Sequence, residues 1–265
     1  MMSSEPIKLP LDGNSILTEV LQRVNSNEKL KTMWDVVNTN AMRRMGYSDH
    51  GHIHFKIVSN IGLRILRLLK AANVEPSVTK DYGLPYEYAE LIVVLGCLLH
   101  DLGMSINRKN HEEFSLFLAN RMMEDLLDFL PTKERVIIVS EALHAIISHR
   151  SDGQPLTVEA GIVRVADALD MTRGRSRIPF EMGKVDIHSL SAYAIDVVEI
   201  AEGKEFPVEV MIKMNNSAGV FQVDELLKEK LKGSGLEKYV SVRAVLKEGD
   251  TEEKLLSEFV FGSKG

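Results

Sequence analysis

Residues 91–103 read LIVVLGCLLHDLG, an apolar run of nine residues that ends in His100 and Asp101. The run predicts a helix that is apolar nearly all round and therefore lies buried at the centre of the fold. Two polar side chains at the buried end of such a helix are costly without partners, and coordination of a cation would compensate them. Gly103 suits a helix end or a close approach of the backbone to another element. A helix end with a solvated Asp101 is the alternative.

Apolar residues at helical spacing continue on both sides of this run. Asn14 and Ser15 are suitable caps for a first helix, and Pro76, Gly83 and Pro85 mark a loop over residues 74–86. The predicted helices cover, in about these ranges, residues 16–45 in two pieces, 53–68, 86–102, 110–129, 133–149 and 157–172. The first two thirds of the chain are therefore predicted to form a helical bundle.

The pattern changes near Pro179, where strand-like composition begins. The predicted order is strand, strand, helix, strand, strand, at about residues 195–200, 208–212, 223–231, 240–245 and 255–261. This order predicts a small α+β domain with an antiparallel sheet. We therefore divide the chain into a helical domain, residues 1–180, and an α+β domain, residues 181–265. The second domain has no motif typical of catalysis, so we expect a regulatory or dimerising role, the latter through exposed sheet edges.

The composition excludes several classes of protein. The chain has 265 residues, of which 45% are hydrophobic, too many for a disordered chain. The longest apolar run is about half of the ~20 residues that a membrane span needs. The 32 basic and 38 acidic residues give a net charge of −6, which favours neither nucleic acid nor an anionic membrane. One cysteine excludes an internal disulfide, and the first ten residues lack the pattern of a signal peptide, so we expect a cytoplasmic protein.

A histidine-rich hexapeptide, Asp49-His50-Gly51-His52-Ile53-His54, opens the helix before the central one. If this helix begins at Asp49, His50 and His54 share a face. His54 lies nearest the apolar stripe and is the best candidate for an inward-pointing metal ligand. We expect His52 to be exposed and Asp49 or Ser48 to act as the helix cap.

A carboxylate also interrupts the last helix of the bundle. Asp167 is flanked by apolar residues and, if buried, needs a counter-charge. Asp170 follows three residues later on the same side and could support a metal ligand or face the substrate. Arg164 precedes Asp167 by three residues, so a simple ion pair within the helix is the alternative interpretation.

The ordered set of His54, His100-Asp101 and Asp167, each on its own helix, resembles the HD-domain superfamily of metal-dependent phosphohydrolases. Three stretches carry the resemblance: Asp49-His50-Gly51-x-x-His54, His100-Asp101-Leu102-Gly103 and Val165-Ala166-Asp167-Ala168-Leu169-Asp170. It covers roughly residues 45–175. The resemblance implies the helical HD fold and a metal site.

A fourth stretch, Ser148-His149-Arg150-Ser151-Asp152-Gly153, resembles the HD-GYP branch, which hydrolyses cyclic dinucleotides. The chain departs from that branch because it has Asp152-Gly153-Gln154-Pro155 where HD-GYP proteins read D-G-x-G-Y-P. It has His149 alone instead of an adjacent pair, and Met104 instead of lysine. Specificity for cyclic dinucleotides therefore does not carry over.

The resemblance implies a ligand set for one or two divalent ions. His54, His100, Asp101 and Asp167 suffice for one ion, whereas His111 and His149 resemble the additional histidines of two-metal branches, with Asp101 as the bridge. We favour two ions. His144 lies about 140° round the helix from His149, so both cannot point the same way, and we favour His149. Manganese, iron, zinc, nickel or cobalt suits imidazole and carboxylate ligands, and magnesium is a further candidate.

The predicted activity is hydrolysis of a phosphate ester or anhydride in a phosphorylated small molecule, most simply a nucleotide, by a metal-activated water. Asp101, Arg150 and Asp170 are the predicted catalytic residues. Cations that could offset phosphate charge are Arg108, Lys109, Arg150, Arg173, Arg175 and Arg177. The alternatives are a di-iron oxygenase on the same fold and a regulatory module that binds a metal or a nucleotide without catalysis. A homodimer is a further expectation.

Overall fold

The computed structural model describes residues 5–150, 152–172, 187–246 and 258–261. Helices fill the part before residue 173: α1 (Ser15–Ser26), α2 (Glu28–Asn38), α3 (His52–Ala71), α4 (Ser77–Tyr82), α5 (Tyr86–Leu99), α6 (His111–Leu126), α7 (Thr132–Ile147) and α8 (Val158–Leu169). A π-helical segment, Thr39–Arg44, continues α2, and a 3₁₀ turn, Leu102–Ser105, follows α5. The predicted helical bundle is confirmed, and the predicted loop over residues 74–86 contains the short helix α4.

The part after residue 186 combines short helices with a four-stranded sheet. Its elements are α9 (Ile187–Tyr193), β1 (Ile195–Glu202), β2 (Val208–Met214), α10 (Gly219–Phe221), a π-helical turn (Gln222–Leu227), α11 (Lys228–Leu231), β3 (Val240–Leu246) and β4 (Glu258–Phe261). The strands lie in the order β1-β2-β3-β4. The predicted fold class, mainly α with a smaller α+β region, is confirmed.

The sheet is mixed and not wholly antiparallel, which corrects one part of the prediction. The outer pairs, β1 with β2 and β3 with β4, are antiparallel, but β2 and β3 are parallel, with Val208 opposite Val240. Parallel neighbours need a crossover, and residues 215–239 with their helical turns are long enough to provide one. A strand pattern alone does not specify this direction.

The proposed boundary between residues 180 and 181 lies outside the described residues, so the division into 1–180 and 181–265 remains a prediction. The buried apolar side chains on both sides nevertheless form a continuous core. It includes Trp34 and Leu95 from the helices and Val210 and Val242 from the sheet. The α+β region is therefore packed on the helical bundle.

Helix α5 is the centre of this core, as its composition predicted. Each residue from Tyr88 to Leu99 is buried. Neighbouring helices approach closely at two glycines. A Cβ on Gly62 would lie 2.8 Å from Val93 Cγ1, and one on Gly96 would lie 2.8 Å from Val163 Cγ2. Residues 86–105 contain 18 consecutive residues with the mean hydropathy, 1.4, of a membrane span, but 94% of those 18 residues are buried inside the fold, as in a core helix.

Helix α3 begins at His52, three residues later than the start we considered at Asp49. The Asp49 carboxylate accepts hydrogen bonds from the backbone N–H of Gly51, at 3.1 Å, and of His54, at 3.4 Å. Asn38 donates to Asp49 and accepts from the backbone N–H of His50. These contacts hold residues 49–51 outside the helix while Asp49 satisfies N–H groups at its start.

The turn after α5 is fixed against α6. The Ser115 hydroxyl donates to the carbonyl of His100 at 2.6 Å and accepts from the N–H of Gly103 at 2.8 Å. A Cβ on Gly103 would lie 1.9 Å from the carbonyl oxygen of His111. The glycine therefore allows the backbones to meet, which brings His100 and Asp101 close to the first residue of α6.

Gly103→Ala should lower the free energy of unfolding by about 1–3 kcal/mol, because the methyl group forces the His111 backbone to move. Urea unfolding with an unchanged m-value measures the effect. Phe117 lies on the same helix as His111, and its side chain is 74% exposed. Phe117→Ala is therefore the control and should change the free energy of unfolding by no more than about 0.5 kcal/mol. Equal stability of Gly103→Ala and the parent protein would contradict this close contact.

Candidate metal centre

Several histidines near the end of α5 share one hydrogen-bonding scheme. In each, Nδ1 faces an acceptor: His50 to Ser48 O at 2.8 Å, His54 to Asp170 Oδ2 at 2.6 Å, His100 to Cys97 O at 3.0 Å, and His149 to Ile146 O at 2.7 Å. These acceptors require a proton on Nδ1, which leaves the lone pair of Nε2 available for a metal ion. The scheme therefore prepares these rings as Nε2 ligands.

The first group of converging atoms comes from α3, the end of α5 and α8. The Nε2 atoms of His54 and His100 lie 3.3 Å apart. Asp167 Oδ1 lies 3.5 Å from the former and 3.6 Å from the latter. Two facing lone pairs beside a carboxylate oxygen are unfavourable unless a cation lies among them. The donor set therefore fits a divalent ion held by His54, His100 and Asp167.

Asp101 joins this group to a second one. Its Oδ2 lies 3.5 Å from His100 Nε2 on one side, and its Oδ1 lies 2.9 Å from His111 Nε2 and 3.7 Å from His149 Nε2 on the other. His100, Asp101 and His149 also form a set with ligand atoms within 4.8 Å of one another. This placement suits a carboxylate shared between two ions.

The electrostatics keep Asp101, Asp167 and His149 in the states that metal ligands need, whereas the burial of His100 is outweighed by Asp101 and Asp167, which raise its pKa in the absence of an ion. Burial favours a higher pKa for Asp101, but His100 and His111 outweigh it and hold the pKa well below its usual range. Burial also favours a higher pKa for Asp167, but the positive charge of Lys230 is the chief effect that outweighs it, so this pKa too lies well below its usual range. Burial, followed by the neighbouring His100, lowers the pKa of His149 far below its ordinary value. Two ionised carboxylates and a neutral imidazole result.

The predicted supporting residues occupy different parts of the centre. Asp170 binds the ring nitrogen of His54 that faces away from the converging atoms, so it orients this ring, and its predicted catalytic role stays a prediction. Arg150 lies at the rim, half-buried, with its Nε 3.0 Å from Glu112 Oε1. The remaining candidate, His144, accepts a hydrogen bond from the backbone N–H of Leu156 and lies outside the converging sets found in the described residues.

The interpretation of Asp167 and Arg164 as an ion pair within α8 is wrong. The counter-charge of Asp167 is Lys230 of α11, whose Nζ lies 3.0 Å from Asp167 Oδ2. Arg164 is buried and donates instead to backbone carbonyls, among them those of Gly153 and Lys230. Helical spacing could not indicate this, because the partner lies more than 60 residues further along the chain.

Of the other cations predicted to offset phosphate charge, only two lie within the described residues, and one of them contacts the centre. Arg108 Nη1 lies 2.8 Å from His111 Nδ1, and Lys109 is exposed. Arg173, Arg175 and Arg177 lie outside the described residues.

Two residues of the centre were missed as candidates. His50 Nε2 lies 3.9 Å from Asp101 Oδ2, although His50 precedes the helix. Glu112 is buried, and its carboxylate forms a converging set with His111 and His149. The sequence offered a weak indication of each, since His50 belongs to the histidine-rich hexapeptide and Glu112 is the direct neighbour of His111.

Comparisons with known proteins identify the same part of the chain. The family model described as "HD domain" matches residues 52–172. The chain is 43% identical over 219 residues to "Uncharacterized protein MJ1020" of Methanocaldococcus jannaschii, covering 82% of this chain and 85% of that protein. No solved structure matches the chain.

Two proteins named "Ribonuclease Y" are more distant relatives. The one from Treponema denticola is 28% identical over 64% of this chain, and the one from Treponema pallidum is 34% identical over 31% of it. The chain matches only 32% and 14% of the lengths of these proteins. The narrower resemblance to the HD-GYP branch is not confirmed by any match. The family model, which spans His54 to Asp170, and the extended match to the archaeal relative establish that this chain belongs to the HD-domain family.

Proposed function

We propose that this protein hydrolyses a phosphate ester or anhydride of a phosphorylated small molecule, with a nucleotide as the first candidate. HD domains form a superfamily of metal-dependent phosphohydrolases. The observation that carries the proposal is the convergence of His54, His100 and Asp167 on one point, with Asp101 between them and a second group.

The donor set favours a transition metal over magnesium. It combines imidazole nitrogen with carboxylate oxygen, a mixture that suits manganese, iron, zinc, nickel or cobalt, whereas magnesium prefers oxygen alone. When bound, such an ion supplies Lewis acidity for hydrolysis at neutral pH.

The side chains of this protein then have distinct tasks. Asp101 is the carboxylate shared by both groups, and Asp170 fixes the orientation of the His54 ring through its 2.6 Å contact. Arg150 at the rim and Arg108 near His111 are two described cations that can offset negative charge on a phosphoryl group.

The relatives support the reaction class more than the substrate. A ribonuclease cleaves phosphodiester bonds, so similarity to proteins named "Ribonuclease Y" favours phosphoester hydrolysis. The net charge of −6 gives no general attraction to a long polyanion, which favours a small substrate.

A panel of nucleoside mono- and triphosphates, cyclic nucleotides, cyclic dinucleotides and short RNA, tested with several divalent ions, distinguishes these classes. Product analysis with and without oxygen tests the oxygenase alternative.

His100→Ala and Asp101→Ala should each lower hydrolysis by about a hundredfold or more, because losing a ligand removes several kcal/mol of transition-state stabilisation. Turnover of the best substrate in the panel, with metal content measured on the same samples, provides the readout. His144→Ala is the matched histidine control and should retain activity. Unchanged hydrolysis and metal content in both ligand variants would refute the site.

His111→Ala and His149→Ala should reduce the stoichiometry of manganese from two ions to one per chain, because both residues lie on the Oδ1 side of Asp101. Elemental analysis after equilibration with manganese and removal of free metal measures the stoichiometry. A single ion in the parent protein would contradict the two-ion arrangement and leave only the group around His54.

A further inference from the structure

Lys230 lies at the metal centre although it belongs to the α+β region. It is part of α11, well beyond the residues that match the family model. Its Nζ donates to Asp167 Oδ2 at 3.0 Å and to the carbonyl of His149 at 2.5 Å. The ammonium group therefore connects two chain segments that carry proposed metal ligands.

The backbone that carries Lys230 is anchored to the same helix as Asp167. Arg164 of α8 donates from Nε to the carbonyl of Lys230 at 2.8 Å and from Nη2 to the carbonyls of Glu229 and Lys232, both at 3.1 Å. Arg164 is only 1% exposed. The position of Lys230 is thus set by buried hydrogen bonds, unlike that of a mobile surface lysine.

Lys230 does not occupy the ligand atom of Asp167. It binds Oδ2, whereas Oδ1 of the same carboxylate faces His54 and His100. An ion can therefore be held by Oδ1 while the ammonium group remains in place. The result would be a fixed positive charge directly beside the metal ions.

The Asp167 carboxylate lies between this cation and the metal, but one carboxylate offsets only part of the repulsion between an ammonium group and divalent ions at short range, so a further anion that contacts both is favourable. An ammonium group has three N–H donors, and the described residues accept two of them from Lys230. Its side chain is also 16% exposed, so Lys230 is not fully enclosed by the described residues. The remaining donor and the charge both suit an oxygen of a phosphoryl group.

We propose that Lys230 binds the phosphate of the substrate, so that the α+β region contributes directly to the active site. This inference rests on the proposed function, since it names a phosphate ligand of the same site. It assigns the α+β region a part in substrate binding that no motif in its sequence indicated.

The experiment uses inorganic phosphate as the probe and the full chain loaded with manganese. Calorimetric titration should show that Lys230→Met weakens phosphate binding by about tenfold or more, as expected for loss of a hydrogen bond to a charged group. Lys230→Arg should stay within a few-fold of the parent protein. Lys228→Met, which removes an exposed lysine on the same helix, is the matched control and should bind phosphate normally.

A second titration, with manganese alone, separates phosphate binding from support of Asp167. Lys230→Met should bind manganese at least as tightly as the parent protein, because it removes a positive charge near the ion. Unchanged phosphate affinity would overturn the proposal. So would parallel losses of manganese and phosphate affinity, which would identify Lys230 as a residue that only positions Asp167. If Lys230→Met does not fold, Lys230→Gln replaces it, with the same expectations.

The proposal and the proposed function fail separately. Phosphate binding needs no turnover, so a loaded protein that binds phosphate through Lys230 but hydrolyses nothing in the substrate panel would refute the function alone. Hydrolysis that depends on His100 while Lys230→Met binds phosphate normally would refute the role of Lys230 alone.

Discussion

The structure depends on placing ionised carboxylates inside an apolar bundle. Asp101 and Asp167 are held in the charged state at the end of α5 and on α8, surrounded by side chains that have little contact with water. A buried charge is tolerated only when opposite charge and hydrogen bonds compensate for lost hydration. Imidazoles on α3 and α6 and just after the ends of α5 and α7, with the ammonium group of Lys230, supply part of this compensation, and a divalent ion would supply the rest.

Rigid packing makes this arrangement specific. Glycines at positions 62 and 96 bring α3 and α8 against α5, and Ser115 ties the end of α5 to α6. Each histidine ring is further oriented by an acceptor at Nδ1, and for His54 that acceptor is Asp170. The chemistry is therefore prepared by contacts that lie behind the ligands, not only by the ligands themselves.

The fold was largely predictable because the apolar pattern is unambiguous. An apolar run as long as residues 91–99 is stable in water only when it is buried in a core. The alternation of apolar and polar side chains over residues 240–245 is typical of a strand. The direction of β3 was not predictable, because pairing with β2 depends on how the crossover packs. The ordered set of His54, His100, Asp101 and Asp167 could be predicted from a family pattern, and the structure brings all four together.

The residues that the sequence analysis missed were hidden for different physical reasons. His50 reaches the centre from outside a helix, where periodicity gives no direction, and the contact of Lys230 with Asp167 is purely tertiary. Local patterns report which face of an element is buried, but not which distant side chain meets it. Glu112 was overlooked because an acidic residue in the first turn of a helix is common for reasons unrelated to metal binding.

The hydrogen bonds from Arg164 to residues 229–232 affect which changes of the α+β region the helical bundle can tolerate. The Arg164 guanidinium donates to three main-chain oxygens of residues 229–232, so these contacts survive side-chain substitution in the receiving segment but not removal of the segment. Gly161, one helical turn earlier, passes so near the Ser234 carbonyl that a Cβ there would lie 2.2 Å from the oxygen. Removing the sheet-bearing portion would leave the buried Arg164 guanidinium without three of its acceptors and expose apolar side chains of the bundle, so we expect the helical bundle to be less stable without it.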